Sequence, residues 1–214
     1  SVVSAEADEV LSAAGAAIEG ALLADYRIEG FRSSSPAPRV ERCTVIGVPD
    51  SAEMREVERR AVALAEATCF ARDLTNGPAS EITPAHLGQV AQRLSQTLPL
   101  KVRVLGPVQL RRLGMGALLA VGRGSRNAPR LIEIVYRPRG VHDAVAMVGK
   151  GICFDSGGLS LKPAGSMEIQ KRDMAGGAAV LGAMRAIGQI EPRIEVRGYV
   201  AAAENMPGGD AYRP

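Results

Sequence analysis

The sequence predicts an α/β protein in which helices are layered around a mixed, largely parallel sheet. Helix-like and strand-like segments alternate along the chain, which is the pattern of α/β layering. The residues best suited to chemistry follow directly after an apolar segment at 144–148, and strand ends are where such proteins place their sites. With 46% hydrophobic and 23% charged residues, the 214-residue chain has the composition of a globular protein with a sizeable core.

The first part of the chain predicts two helices separated by irregular structure. Apolar residues at helical spacing predict a helix over residues 5–24, and the Ser- and Pro-rich stretch 26–38 predicts a connecting loop. Residues 42–48 form a short β-rich run. Ser51 can cap a second helix that runs towards Leu74.

The remainder predicts alternating elements. Asn-Gly-Pro at 76–78 ends the second helix, and Thr83 followed by Pro84 opens the next one, which continues to Thr97. Periodicity then predicts strands at 101–105, 118–121, 131–136, 144–148 and 194–202, and helices at 108–113 and 174–190.

Composition argues against several classes of protein. Cys43, Cys69 and Cys153 are odd in number and widely spaced, which argues against a disulfide framework or a cysteine-ligated metal and favours a reducing cytoplasm. There is no apolar run of 18 residues and no secretory leader pattern, so no membrane association is expected.

The span 101–140 is locally basic, with nine Lys or Arg residues and the single acid Glu133. A nucleic-acid surface is one interpretation of this span. It has only Tyr136 as an aromatic side chain for stacking, so a solvated face or an oligomer contact fits it equally well. The net charge of +3 is too small to imply a polyanionic partner.

Two glycine-rich runs carry the chemistry, VGKGICFDSGGLSLKP at 148–163 and KRDMAGG at 171–177. Their carboxylates, Asp155 and Asp173, are hard oxygen donors suited to divalent cations. A lysine can join them as a ligand only through a neutral amine, whereas a charged lysine could stabilise an oxyanion. The plainer interpretation makes these aspartates turn or cap residues and places Lys150 and Lys162 on the surface.

Other catalytic patterns are absent. A phosphate-binding P-loop needs Gly at position 144, where this chain has Ala144. A serine nucleophile at Ser156 would need Gly at position 154, where Phe154 stands. His86 and His142 each stand alone in the sequence, which is more typical of surface or cap residues.

The two runs closely resemble the signature of the leucine aminopeptidase family of metallopeptidases, also called cytosol aminopeptidases. The likeness extends over nearly the whole chain, and ARDLTNGPA at 71–79 resembles the start of that family's catalytic domain. The resemblance implies that residues 1–50 are the end of an N-terminal domain with its connecting segment. Residues 51–214 would then be the N-terminal part of an incomplete catalytic domain.

The resemblance also implies roles for individual residues. Lys150, Asp155 and Asp173 would bind two divalent metal ions, Mn²⁺ or Zn²⁺, with Asp155 shared between the two ions. Lys162 would be catalytic and would stabilise the oxyanion. The implied reaction is removal of N-terminal residues from peptides with a free N-terminus by a two-metal-activated water, in a cytoplasmic hexamer.

The chain departs from the family pattern in two places. Gln170 stands where many members have Met in the substrate pocket, so an unpaired amide would disfavour aliphatic side chains by roughly 1 kcal/mol. A later family motif, Asn-Thr-Asp-Ala-Glu-Gly-Arg, is absent from the 214 residues. We therefore expect these residues alone to be inactive as an aminopeptidase. An inactive or structural homologue is the alternative interpretation.

Overall fold

The computed structural model describes residues 2–28, 31 and 40–213. The chain divides into two compact units, Ser1–Phe70 and Ala71–Pro214, and the boundary falls inside a long helix. The predicted domain division at residues 50 and 51 is not tested by this boundary and stays a prediction.

The first unit is built from α1 (Val2–Ala24) and most of α2 (Ala52–Asn76), which confirms both predicted helices. The hydroxyl of Ser51 accepts a hydrogen bond from the Met54 N–H at 3.1 Å, as expected of a cap. The predicted connecting loop at 26–38 lies largely outside the described residues.

The prediction of β structure at residues 42–48 is wrong. These residues have no regular secondary structure, and the Ile46 side chain is 86% exposed. A strand is stabilised by its neighbour in a sheet, and the described residues provide no neighbour for this one.

The second unit contains a mixed four-stranded sheet, which confirms the predicted α/β class. The sheet is not largely parallel as predicted, because two of the three pairs among the described strands are antiparallel. The strands are β1 (Lys101–Leu105), β2 (Arg130–Tyr136), β3 (Ala144–Asp155) and β4 (Glu195–Asn205), in the order β1-β2-β4-β3. The β3–β4 pair is parallel, whereas β1–β2 and β2–β4 are antiparallel. Among the described strands, the only parallel pair is therefore formed by the edge strand β3, which ends at Asp155, and its neighbour β4.

Four helices of the second unit pack on this sheet: α3 (Pro84–Thr97), α4 (Pro107–Arg112), α5 (Gly116–Val121) and α7 (Ala175–Ile190). The short helix α6 (Ala164–Met167) has no buried residue and lies between β3 and α7 in the chain. The hydroxyl of Thr83 caps α3 by accepting a hydrogen bond from the His86 N–H at 3.2 Å. The core between helices and sheet is fully buried and apolar, and includes Leu87, Ile132, Ile134, Leu181, Met184 and Val200.

The strand predicted at 118–121 is wrong, because these residues belong to α5. The segment GALLAV has no alternation of apolar and polar residues, and Ala and Leu are strong helix formers. In a segment of six residues, hydrophobicity alone does not distinguish a buried strand from a short helix.

No helix in the described ranges is long and apolar enough to cross a membrane.

Glycines let α7 lie directly against β3. A Cβ atom at Gly149 on β3 would lie 2.4 Å from the carbonyl oxygen of Gly176, in the first turn of α7. A Cβ atom at Gly177 would lie 2.7 Å from Cγ1 of Val200 and 3.1 Å from the carbonyl oxygen of Lys150. The backbone of α7 therefore packs directly on the backbone of β3, and neither position has room for a side chain larger than the hydrogen atom of glycine.

We predict that Gly149→Ala destabilises the second unit by roughly 3 kcal/mol, the upper part of the range for overpacking, since the colliding atom is a backbone oxygen. Urea unfolding measures this loss. Gly165→Ala is the matched control, because a Cβ atom there has nothing within 4 Å. The control should leave the free energy of unfolding unchanged or raise it by up to about 1 kcal/mol. Equal stability of the two variants would contradict the close approach of α7 to β3.

Candidate functional site

The candidate site lies at the carboxyl ends of the parallel strands β3 and β4. Asp155 is the last residue of β3 and pairs in register with Asn205, the last residue of β4. Beyond Asp155 the chain reverses, with positive φ angles of 89° at Gly157 and 68° at Gly158. The Lys162 N–H donates to the carbonyl oxygen of Ser156 at 2.9 Å, which closes the loop and returns Lys162 to Asp155.

The Asp155 carboxylate is held by three donors. Its Oδ1 accepts hydrogen bonds from the Gly157 N–H at 3.0 Å and from Nδ2 of Asn205 at 2.7 Å. Its Oδ2 accepts from Nζ of Lys162 at 2.6 Å. Partial burial opposes ionisation, but the hydrogen bonds from Lys162, Gly157 and Asn205 outweigh it and hold the pKa of Asp155 below its usual value. The group is therefore an anion at neutral pH.

Lys150 and Asp173 form a second pair. Nζ of Lys150 donates to Oδ1 of Asp173 at 2.7 Å and also lies 2.7 Å from Oδ2. This Oδ2 is buried and, in spite of that short distance, accepts no hydrogen bond. Asp173 lies just before α7, so the close contact of α7 with β3 brings the aspartate to the lysine on the strand.

Gln170 lies beside the lysine of the first pair. Its Oε1 accepts a hydrogen bond from Nζ of Lys162 at 3.2 Å, and its Nε2 donates to the carbonyl oxygen of Ser166 at 2.9 Å. The structure therefore groups Asp155, Lys162 and Gln170, while Lys150 and Asp173 form their own pair. The predicted role of Gln170 in a substrate pocket is not tested by these contacts.

Sequence reasoning missed Asn205, although a polar residue at the end of the strand beside β3 was a usable signal. The carbonyl oxygen of Asn205 accepts hydrogen bonds from the Ser156 N–H at 2.9 Å and the Ser156 hydroxyl at 2.7 Å. Ser156 is only 2% exposed, so its hydroxyl joins the two strand ends. This structural role agrees with the expectation that Ser156 is not a nucleophile.

Glu204, also missed, is a fully buried carboxylate beside the site. It accepts hydrogen bonds from the Ser125 hydroxyl at 2.6 Å and Nδ2 of Asn127 at 3.0 Å, and it pairs with Arg213. These partners compensate the buried charge of Glu204. They also join the end of β4 to two other segments of the chain. Two of its three partners, Ser125 and Asn127, are distant in sequence, which is why no local pattern indicated the network.

The donor chemistry of the site fits a divalent cation. Asp155 and Asp173 provide hard carboxylate oxygens. In this structure each carboxylate is paired with a lysine ammonium, Asp155 with Lys162 at 2.6 Å and Asp173 with Lys150 at 2.7 Å. The buried Oδ2 of Asp173 accepts no hydrogen bond and is compensated by the charge of the Lys150 ammonium, 2.7 Å away. Within the described part of the chain, no three His, Cys, Asp or Glu side chains converge in a cluster that could hold an ion.

The fold is that of an α/β protein with a mixed sheet, with one lysine–aspartate pair at the end of β3 and a second pair farther back along the same strand. The chain belongs to the cytosol aminopeptidase family, because residues 69–214 match the catalytic domain of that family. This finding confirms the resemblance found in the sequence.

Two relatives, both named "Probable cytosol aminopeptidase", illustrate the similarity. The protein of Persephonella marina is 40% identical over 204 residues, covering 95% of this chain and 41% of the relative. The protein of Solibacter usitatus is 43% identical over 203 residues, which cover 94% of this chain and 42% of that relative. The chain thus spans about two fifths of the length of these relatives.

Solved structures show the same fold. A mutant of tomato leucine aminopeptidase superposes with a TM-score of 0.86 at 34% identity, covering 97% of this chain and 40% of that protein. The bottromycin maturation enzyme BotP in complex with Mn superposes with a TM-score of 0.79 at 42% identity, covering 94% of this chain and 41% of that protein.

Proposed function

We propose that the full-length protein is a metal-dependent aminopeptidase of the leucine aminopeptidase type, which hydrolyses the first peptide bond of substrates with a free N-terminus. The observation that carries this proposal is the pair of lysine–aspartate contacts, one at the end of β3 (Lys162 with Asp155) and one farther back along β3 (Lys150 with Asp173), in a chain of the cytosol aminopeptidase family. The BotP structure in complex with Mn supports metal use by a related protein.

Asp155, Asp173 and Lys150 are the residues that would hold metal. Two divalent ions, manganese or zinc, would supply Lewis acidity that polarises the peptide carbonyl and acidifies water. The hydrogen bonds that lower the pKa of Asp155 keep the carboxylate in the ionised form that a metal ligand requires. Lys150 would bind through a neutral amine, which requires its ammonium to give up a proton and its ion pair with Asp173.

Lys162 is suited to stabilising an oxyanion. An ammonium has three protons, and the hydrogen bonds to Asp155 and Gln170 account for two of them. The third proton is available to a carbonyl oxygen that gains negative charge. The Lys162 side chain is 30% exposed, so a substrate can reach it from solvent.

The alternative is an inactive or structural homologue with the same fold. Against it, the Asp155 and Asp173 side chains are only 16% and 21% exposed, so each carboxylate costs desolvation free energy, and among the described contacts Asp173 does not join separate segments through several partners as the buried Glu204 does. Hexameric assembly, a cytoplasmic location and the inactivity of the 214 residues by themselves stay predictions.

A nucleic-acid surface over residues 101–140 is less well supported. Three of its arginines, at positions 103, 126 and 137, are engaged by the carboxylates of Glu133, Asp210 and Glu195. Arg130 donates to two backbone carbonyl oxygens. These contacts reduce the positive charge available to phosphate groups.

We predict that the full-length protein binds two Mn²⁺ ions and that Asp155→Ala loses both, because Asp155 would be the shared ligand. The loss should exceed the roughly 100-fold effect typical of outer-shell partners. Isothermal titration measures the stoichiometry. Asp143→Ala removes an exposed carboxylate outside the site and should bind normally. Two intact sites in Asp155→Ala would overturn the metal assignment.

We predict that Lys162→Ala lowers kcat by a factor of about 10² to 10³, the effect of losing one oxyanion donor, and changes KM little. Lys171→Ala is the control, since the Lys171 ammonium donates to the carbonyl oxygen of Asn76 and has no contact with Asp155 among the described hydrogen bonds. A variant at Lys162 with a raised KM and an unchanged kcat would place this lysine in substrate binding instead.

We predict that Gln170→Met shifts the preference for the first residue towards Leu and Met, because it removes an amide from the proposed pocket. A panel of amino-acid amides measures kcat/KM for each side chain. A uniform decrease across the panel would show that Gln170 acts only through its hydrogen bond to Lys162. An unchanged ranking would contradict the proposed pocket role.

A further inference from the structure

Asn205 makes three of the hydrogen bonds that join the end of β4 to the candidate site. Its side chain donates to Oδ1 of Asp155 at 2.7 Å. Its carbonyl oxygen accepts from the N–H and the hydroxyl of Ser156, at 2.9 and 2.7 Å. The parallel register of β3 and β4 places Asn205 opposite Asp155, so the contact follows from the pairing of the strands.

The contact saturates one oxygen of the Asp155 carboxylate. A carboxylate oxygen has two lone pairs, and Oδ1 already accepts hydrogen bonds from Gly157 and Asn205. Only Oδ2 remains for a further partner, and this is the oxygen that faces Lys162. The last torsion of an aspartate is broad and roughly two-fold. Without the Asn205 donor, the plane of the Asp155 carboxylate would therefore rotate more freely, and the lone pairs of its second oxygen would no longer keep one direction.

We propose that Asn205 is a positioning residue, which fixes the plane of the Asp155 carboxylate so that the oxygen not bound by Asn205 and Gly157 is offered to the two divalent cations that would share Asp155. This inference rests on the proposed function, in which Asp155 is a metal ligand. Hydrogen-bonded partners that orient a ligand typically change metal affinity by 10- to 100-fold when they are removed.

Asn205 is itself held firmly enough for this role. A Cβ atom at Gly158 would lie 2.7 Å from Oδ1 of Asn205, so the loop packs against the amide. The preceding residue, Glu204, is fully buried and hydrogen-bonded to Ser125 and Asn127. The loop thus limits rotation of the amide, and the anchoring of Glu204 limits movement of the neighbouring backbone.

Mn²⁺ binding to the full-length protein tests the proposal. Electron paramagnetic resonance of free Mn²⁺ measures the dissociation constant, and thermal unfolding without metal measures stability. Asn205→Ala should weaken Mn²⁺ binding 10- to 100-fold. Asn127→Ala is the matched control, because it also removes an asparagine N–H donor from a carboxylate, at 3.0 Å, without touching Asp155. It should lower the Tm while leaving Mn²⁺ affinity within twofold.

Equal Mn²⁺ affinities for Asn205→Ala and Asn127→Ala would overturn the positioning role. Asp155→Ala separates this failure from failure of the proposed function. If Asp155→Ala keeps Mn²⁺ bound, or the unaltered protein binds none, the metal assignment is wrong and the inference falls with it. If Asn205→Ala does not fold, Asn205→Leu keeps the side-chain bulk without the donor. Failure of both variants to fold would make Asn205 a folding residue and would also count against the proposal.

Discussion

The close contact of α7 with β3 is the constraint on which the candidate site depends. Gly149 and Gly177 have no side chains, so the backbone of the helix lies on the backbone of the strand. Asp173, just before the helix, thereby reaches Lys150 on the strand, from 23 residues away in sequence. A larger residue at either glycine would separate the helix from the strand, and the carboxylate and ammonium would separate with them.

Charge compensation is the second requirement at the strand ends. A carboxylate removed from water must recover the lost solvation from hydrogen bonds and ion pairs. Asp155 recovers it from Lys162, a backbone N–H and the Asn205 amide, while Glu204 recovers it from Ser125, Asn127 and Arg213. The two carboxylates differ in their access to solvent, because Asp155 faces a partly exposed lysine, whereas Glu204 is fully buried.

Much of the local structure could be predicted from the sequence because its signals are local. Thr83 and Pro84 indicated the start of α3, and the glycine-rich run after an apolar segment indicated a site at a strand end. The strand expected at 118–121 is a helix, and the run at 42–48 is irregular. In both cases short apolar segments were assigned without knowledge of their neighbours, and a strand forms only where a neighbour pairs with it.

The sequence by itself determined the family, the helix limits near their caps, and which aspartates and lysines were candidates for chemistry. Only the tertiary structure decided which residues meet. It showed that β2 pairs antiparallel with β4, that Gln170 contacts Lys162, and that Asn205 donates to Asp155. The physical reason is that caps and periodicity act within a few residues, whereas strand order and hydrogen bonds between strand ends depend on packing across the whole unit.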